Sequence, residues 1–145
     1  MQLGGESKGA RFEKLSEDLF MNINNIESSF EHGYFKIYLA TPAIFENGWF
    51  PKWLNKVSFE GEYNGIKLKL VPCVIGRPLA IGGWDVVQNK PKPLRKAVPE
   101  VSIYYFKILN NSDKENIKDV FHLKNISDIN PEEGFGLSLV GEVKV

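Results

Sequence analysis

The chain has 145 residues, enough for one domain with a core of its own. Eighteen basic residues balance eighteen acidic ones, so it lacks the basic excess that marks most nucleic-acid binders, and any such role must rest on a local patch. The single Cys73 excludes an internal disulfide and a multi-cysteine zinc site, which fits a reducing cytoplasm. No apolar run approaches the roughly 20 residues that span a bilayer, and the polar, glycine-rich start carries no signal-peptide pattern.

In chain order, residues 8–15 read as a strand or the start of a helix, because Ala10 and Phe12 alternate with charges while Phe12, Leu15 and Leu19 also fit a helical stripe. Residues 20–32 read as helix, with Ile23, Ile26 and Phe30 on one face and Gly33 as the stop. Residues 34–40 alternate as a strand that turns Phe35, Ile37 and Leu39 one way and ends at Thr41-Pro42. An aromatic-dense connection fills 43–54, and Asn64-Gly65 predicts a hairpin between strands at 57–63 and 66–75. Repeated glycine and proline make 76–99 a long excursion. Residues 101–109 form the clearest strand. Ser112 and Glu115 match a capping box that opens a helix near 113–124, with Ile117, Val120 and Phe121 inward. Residues 137–145 set Leu137, Leu139, Val143 and Val145 against Ser138, Glu142 and Lys144. With the insertion of about 43–99 removed, the order strand, helix, strand, strand, helix, strand predicts an α+β fold of the split βαβ, ferredoxin-like kind shared with RNA-recognition domains.

Four groups of residues carry candidate chemistry. The run from Gly134 through Gly136 to Gly141 is either a helix-to-strand turn or a loop whose N–H groups face an anion. Glu132 and Glu133, just before it, argue against phosphate there. Lys90, Lys92, Arg95 and Lys96, held extended by Pro91, Pro93 and Pro99, are either a solvated loop or a phosphate-neutralising cluster, which Lys8 and Arg11 could extend. Trp49, Trp53 and Trp84 stand in loops, where such rings cover a core, meet a partner or stack on a base. His32 and His122 have no nucleophile or second histidine beside them in sequence, and His122 is expected to project to solvent or the helix edge. Neither histidine reads as catalytic, and the scattered carboxylates predict no metal site.

Five segments occur together in order: Gly4-Gly5-Glu6-Ser7-Lys8-Gly9-Ala10-Arg11; Leu39 to Phe45 with Gly48-Trp49-Phe50-Pro51; Ile81-Gly82-Gly83-Trp84-Asp85; Lys92 to Pro99; and Gly134 to Gly141. As an ordered set they resemble the third subunit of the Cmr complex, the type III-B CRISPR RNA-guided effector, within the RAMP superfamily of ferredoxin-like RNA-binding proteins. The resemblance spans nearly the whole chain and corresponds to the C-terminal half of such a subunit, so that a preceding ferredoxin-like RAMP domain lies outside these residues. It implies a non-catalytic, cofactor-free, cytoplasmic scaffold. Its partners would be the five-prime handle of a guide RNA, the large polymerase-like subunit and the backbone RAMP subunits. Under that reading RNA would meet Lys8, Arg11, Lys90, Lys92, Arg95, Lys96, Gly134, Gly136 and Gly141, and Trp49, Trp53 and Trp84 would face a partner. Two rivals stay open: a RAMP endoribonuclease using His32 or His122, and a pure protein-interaction module.

Overall fold

The computed structural model describes residues 2–3, 8–9, 23 and 29–143. Two short strands, β1 (Gln2–Leu3) and β2 (Lys8–Gly9), pair antiparallel. Most of the predicted 8–15 and 20–32 elements lies outside the described residues; Gly33 does turn the chain, at φ +70, and its N–H donates to the Phe30 carbonyl at 2.9 Å.

Next come β3 (Tyr34–Leu39), β4 (Glu60–Tyr63) and β5 (Ile66–Val74). Asn64 and Gly65 join the last two with φ of +46 and +85, the paired positive angles that match a hairpin's twist. The excursion holds four short strands, β6 (Leu79–Ile81), β7 (Trp84–Asp85), β8 (Lys90–Pro91) and β9 (Arg95–Ala97). They pair β6 with β9 and β7 with β8, so residues 76–99 form a narrow antiparallel arm. The chain returns in β10 (Ile103–Ile108), passes through β11 (Lys124–Asn125) and ends in β12 (Leu137–Glu142).

Among the described residues the main sheet has six antiparallel strands in the order β11-β12-β3-β10-β5-β4. The fold is a strand-dominated α+β architecture. The predicted insertion of 43–99 is corrected in one respect. Its hairpin is not an excursion: β5 pairs along β10 and completes the sheet, and only the arm stands apart.

Alternation decides which face is core. Phe35, Ile37 and Leu39 are fully buried, as their spacing predicts, and Tyr104, Phe106, Ile66, Leu68 and Leu70 join them. The aromatic connection folds onto this face: Phe45 meets Tyr104 edge-on, and Trp53 packs with its centroid 5.7 Å from that of Phe106. Gly61 permits the close crossing, since a Cβ there would stand 2.0 Å from the Trp53 carbonyl oxygen.

Three further expectations are corrected. The helix near 113–124 is a 3-10 segment (Asn111–Asn116) followed by a short α-helix (Ile117–Phe121), with Ile117 and Phe121 buried. Ser112 lies inside the first segment and is no cap. Its hydroxyl bonds the Asp113 carboxylate, whose other oxygen accepts the Lys67 N–H at 3.0 Å, so this turn is tied to the sheet. In β12 the inward residues are Ser138 and Val140, while Leu137 and Leu139 are half-buried on the opposite face. The Ser138 hydroxyl is fully buried between the Phe121 and Lys124 carbonyls, and it satisfies backbone groups left open where the helix ends. His122 is also buried. The Val140 N–H donates to its Nδ1 at 3.2 Å, which leaves Nε2 to donate to the Ile23 carbonyl at 2.7 Å. It bridges segments far apart in sequence and does not project to solvent.

Candidate nucleic-acid interface

Three of the segments singled out in the sequence converge. Ile81 to Asp85 from the arm's outgoing side, Lys92, Pro93 and Arg95 from its return, and Asn130, Glu133 and Phe135 before β12 enclose a cleft of about 380 Å³, with Ile44 at its base. That volume is in the range of small-ligand sites. The arm is held there by a bridge between Ala43 and Val98, whose N–H groups donate to each other's carbonyls at 2.9 and 2.8 Å.

Each side chain's place follows from the arm's pairing. Arg95 lies opposite Ile81 in the β6–β9 register and reaches the cleft. Its neighbour Lys96 faces the other side of the ribbon, over a smaller, almost wholly apolar pocket of about 150 Å³ beside Trp49 and Val98. Lys90 is exposed opposite Asp85. The Lys92 N–H closes onto the Gly83 carbonyl at 2.8 Å, and Trp84 is exposed at the cleft edge.

The cleft carries little net charge. Its cations Lys92 and Arg95 are matched by Asp85 and Glu133, and the Lys92 Nζ lies 3.7 Å from the Glu133 carboxylate. The Asn130 amide also donates to Glu133, at 3.0 Å. Neither Glu133 nor Lys92 is therefore a free charge, and what the cleft offers is hydrogen bonding, the Trp84 indole and the Arg95 guanidinium.

The glycine loop is bonded into the fold. The Gly134 N–H donates to the Pro131 carbonyl and the Gly136 N–H to the Pro42 carbonyl, at 3.1 and 2.8 Å. The Thr41 hydroxyl donates to the Gly134 carbonyl at 2.7 Å and accepts the Leu137 N–H at 2.8 Å. These three donors are spent inside the fold, where the loop latches Thr41-Pro42 to β12. Gly136 is buried at φ +75, and a Cβ there would stand 2.6 Å from the Ser127 nitrogen. Ser127 is itself part of the latch, accepting the Ile44 N–H at 2.9 Å.

Gly141 lies away from the cleft. On β12 it faces Lys36, and a Cβ at Gly141 would stand 2.8 Å from the Lys36 Cε. The glycine thus leaves room for that lysine to lie across the sheet. Lys8 stands in β2, and Arg11 falls outside the described residues.

Of the three tryptophans, Trp49 and Trp84 are exposed. Trp53 is packed against the core, between Tyr63, Phe106 and Phe121, with its indole N–H buried and unpartnered; its assignment to a partner surface is corrected. His32 lies exposed in the turn before Gly33. Asn130, at φ +53, is a cleft residue not singled out in the sequence, although Asn130-Pro131 is a turn signal that could have marked it.

Burial raises several ionisable groups. Desolvation raises Tyr104, whose hydroxyl donates to the Trp49 carbonyl at 2.6 Å. It also raises the Cys73 thiol. Asp128 is raised by burial as well, although its Oδ2 accepts the Glu46 and Lys52 N–H groups at 3.1 and 3.0 Å and so ties down the aromatic connection.

No helix among the described residues is long and apolar enough to cross a membrane. No curated protein gives a significant match to the chain. The family model described as CRISPR-associated protein (Cas_Cmr3) matches residues 1–143. With nearly all of its length matched, the chain belongs to the Cas_Cmr3 family of CRISPR-associated proteins, subunits of the type III-B Cmr complex.

Proposed function

We propose that this chain is a non-catalytic RNA-binding and scaffold element of a cytoplasmic Cmr effector complex. It would contact the five-prime handle of the guide RNA and dock on the large polymerase-like subunit beside the backbone RAMP subunits. The observation that carries the RNA half is the cleft, where the Gly82-Gly83-Trp84 turn, the basic return of the arm and the segment before β12 meet. One base stacks on Trp84, worth roughly 1–3 kcal/mol, and Arg95 bonds the sugar-phosphate. The fold reading supports this role. The four longest strands lie in the order β12-β3-β10-β5, each antiparallel to its neighbours, with an α-helix preceding β12 in the chain; we read them as a ferredoxin-like RAMP sheet whose first crossover is the aromatic connection. The buried, doubly bonded His122 supports a role without chemistry.

A second observation favours the docking half. The arm's tip carries Val86 and Val87 at 83% and 96% exposure, with Leu94 at 74%. Apolar side chains so bare, on a ribbon rimmed by lysines, suit a protein partner.

Fluorescence anisotropy with a labelled guide-handle RNA at low and moderate salt tests the RNA half. Salt-sensitive binding that weakens about tenfold in Trp84→Ala and Arg95→Gln is expected. Binding that survives both changes would remove the cleft from the interface, and the absence of binding at low salt would reduce the chain to a scaffold. Repeat-RNA cleavage lost in His32→Ala would instead favour the endoribonuclease.

A further inference from the structure

The sheet has a second face. On β3 the residues opposite in phase to the core are Tyr34, Lys36 and Tyr38, and on β10 they are Ile103, Tyr105 and Lys107. All are half-exposed or exposed. The helix and the aromatic connection pack against the other face, through Phe121 on Phe35 and Trp53 on Phe106.

Register places these six side chains in three rows. Tyr38 lies opposite Ile103, Lys36 opposite Tyr105, and Tyr34 opposite Lys107. Directly opposed residues of an antiparallel pair project to the same face, and diagonal neighbours stand roughly 7–8 Å apart. The tyrosines therefore run in a zigzag, Tyr38 to Tyr105 to Tyr34, with a lysine beside each of the last two. Gly141 adds an independent mark: the absence of a side chain there lets the Lys36 stem lie across the sheet. No carboxylate occupies these rows. Glu60 and Glu62 stand at the far edge, on β4, where Glu60 already pairs with Lys69 at 3.1 Å.

We propose that this face is a binding platform for single-stranded RNA, with bases stacking on Tyr105 and Tyr38 and with Lys36 and Lys107 neutralising the phosphates between them. The inference rests on the RNA-binding reading above and gives it a second contact. It also supplies the charge that the cleft lacks. Aromatic rings interleaved with lysines, free of carboxylates, match a strand whose bases are unpaired and whose backbone is anionic. A duplex would offer no base faces to the tyrosines.

The test is a titration of the full chain with fluorescein-labelled oligouridine, and with the same strand in a duplex, over a salt series. Tyr105→Leu and Tyr38→Leu keep apolar packing and remove the π-face, and each should weaken single-strand binding about fivefold or more while leaving the duplex unaffected. Lys36→Gln and Lys107→Gln should each reduce the slope of log affinity against log salt by about 0.7. A role confined to sheet stability would lower the melting temperature of the tyrosine variants and leave the lysine slopes unchanged, which would overturn the proposal. If all four variants bind as wild type while Arg95→Gln does not, the platform is wrong and the cleft stands. If the wild-type chain binds no oligouridine even at low salt, both fail together.

Discussion

The central sheet and the arm are made of the same element, paired antiparallel strands, and put it to opposite uses. In the sheet every second residue is driven into one core, where Phe35, Ile37, Leu39 and Tyr104 are at most 1% exposed. In the arm only Ala97 and Val98, at its root, are buried, and the valines at its tip stand in solvent. A two-stranded ribbon has no second layer to bury a face against, so it is marginal alone and depends on its anchor. The sheet can therefore hold the fold while the arm carries surface that can change without cost to the fold.

The largest expected effect lies at the centre of the sheet. Phe35 packs against Phe106 with centroids 5.4 Å apart and against Phe121 at 5.6 Å. Phe35→Ala should destabilise the chain by about 3–5 kcal/mol in urea unfolding. A loss under about 1 kcal/mol would show that the aromatic cluster is not the seat of stability. The glycine latch comes next. Gly136→Val adds a β-branched side chain at positive φ and drives its Cβ onto the Ser127 backbone; a cost of about 3 kcal/mol is expected. If this variant kept its unfolding midpoint and lost only RNA affinity, the loop would be a binding element after all.

Legibility in the sequence divides along the same line. The alternation in 34–39 and 103–108 and the Asn64-Gly65 turn were readable because the period of two and the primed turn are set by local chemistry. The pairing of β5 with β10 was not, since which strands lie side by side is a long-range choice. The phase of β12 is not set by hydrophobicity alone: Leu137 and Leu139 outrank Ser138, yet it is the Ser138 hydroxyl that lies inside and answers the Phe121 and Lys124 carbonyls. The glycine loop shows the same limit. Its composition is that of an anion site, and only the partners of its N–H groups reveal that Thr41 and Pro42 already hold them. The motifs around the cleft were visible one by one; their meeting depends on how the arm folds back.

A smaller effect sharpens the contrast from the arm's side. Val86→Ser with Val87→Ser should leave the urea midpoint within about 0.5 kcal/mol of wild type, as for solvated sites, while co-purification with the large subunit is lost. A drop of more than about 1 kcal/mol would mean that the tip is packed and that the arm is no independent surface.

The smallest effect is a pH dependence where Asp128 ties the aromatic connection to the segment before β12. Burial raises Asp128 above the ordinary carboxylate value, so folding opposes its ionised form. The sign follows: the stability linked to its protonated form is complete below the unfolded value and is lost as pH rises through the higher folded one. Asp128→Asn keeps an acceptor oxygen for the Glu46 and Lys52 N–H groups and removes the charge. At neutral pH the variant should melt at or slightly above the wild-type temperature, and the gap should close as pH falls through the carboxylate range. Should the variant instead melt lower at neutral pH and draw level in acid, the charge would be supporting those two N–H groups more than burial opposes it, and the loop that Asp128 holds would depend on ionisation for its place against the sheet.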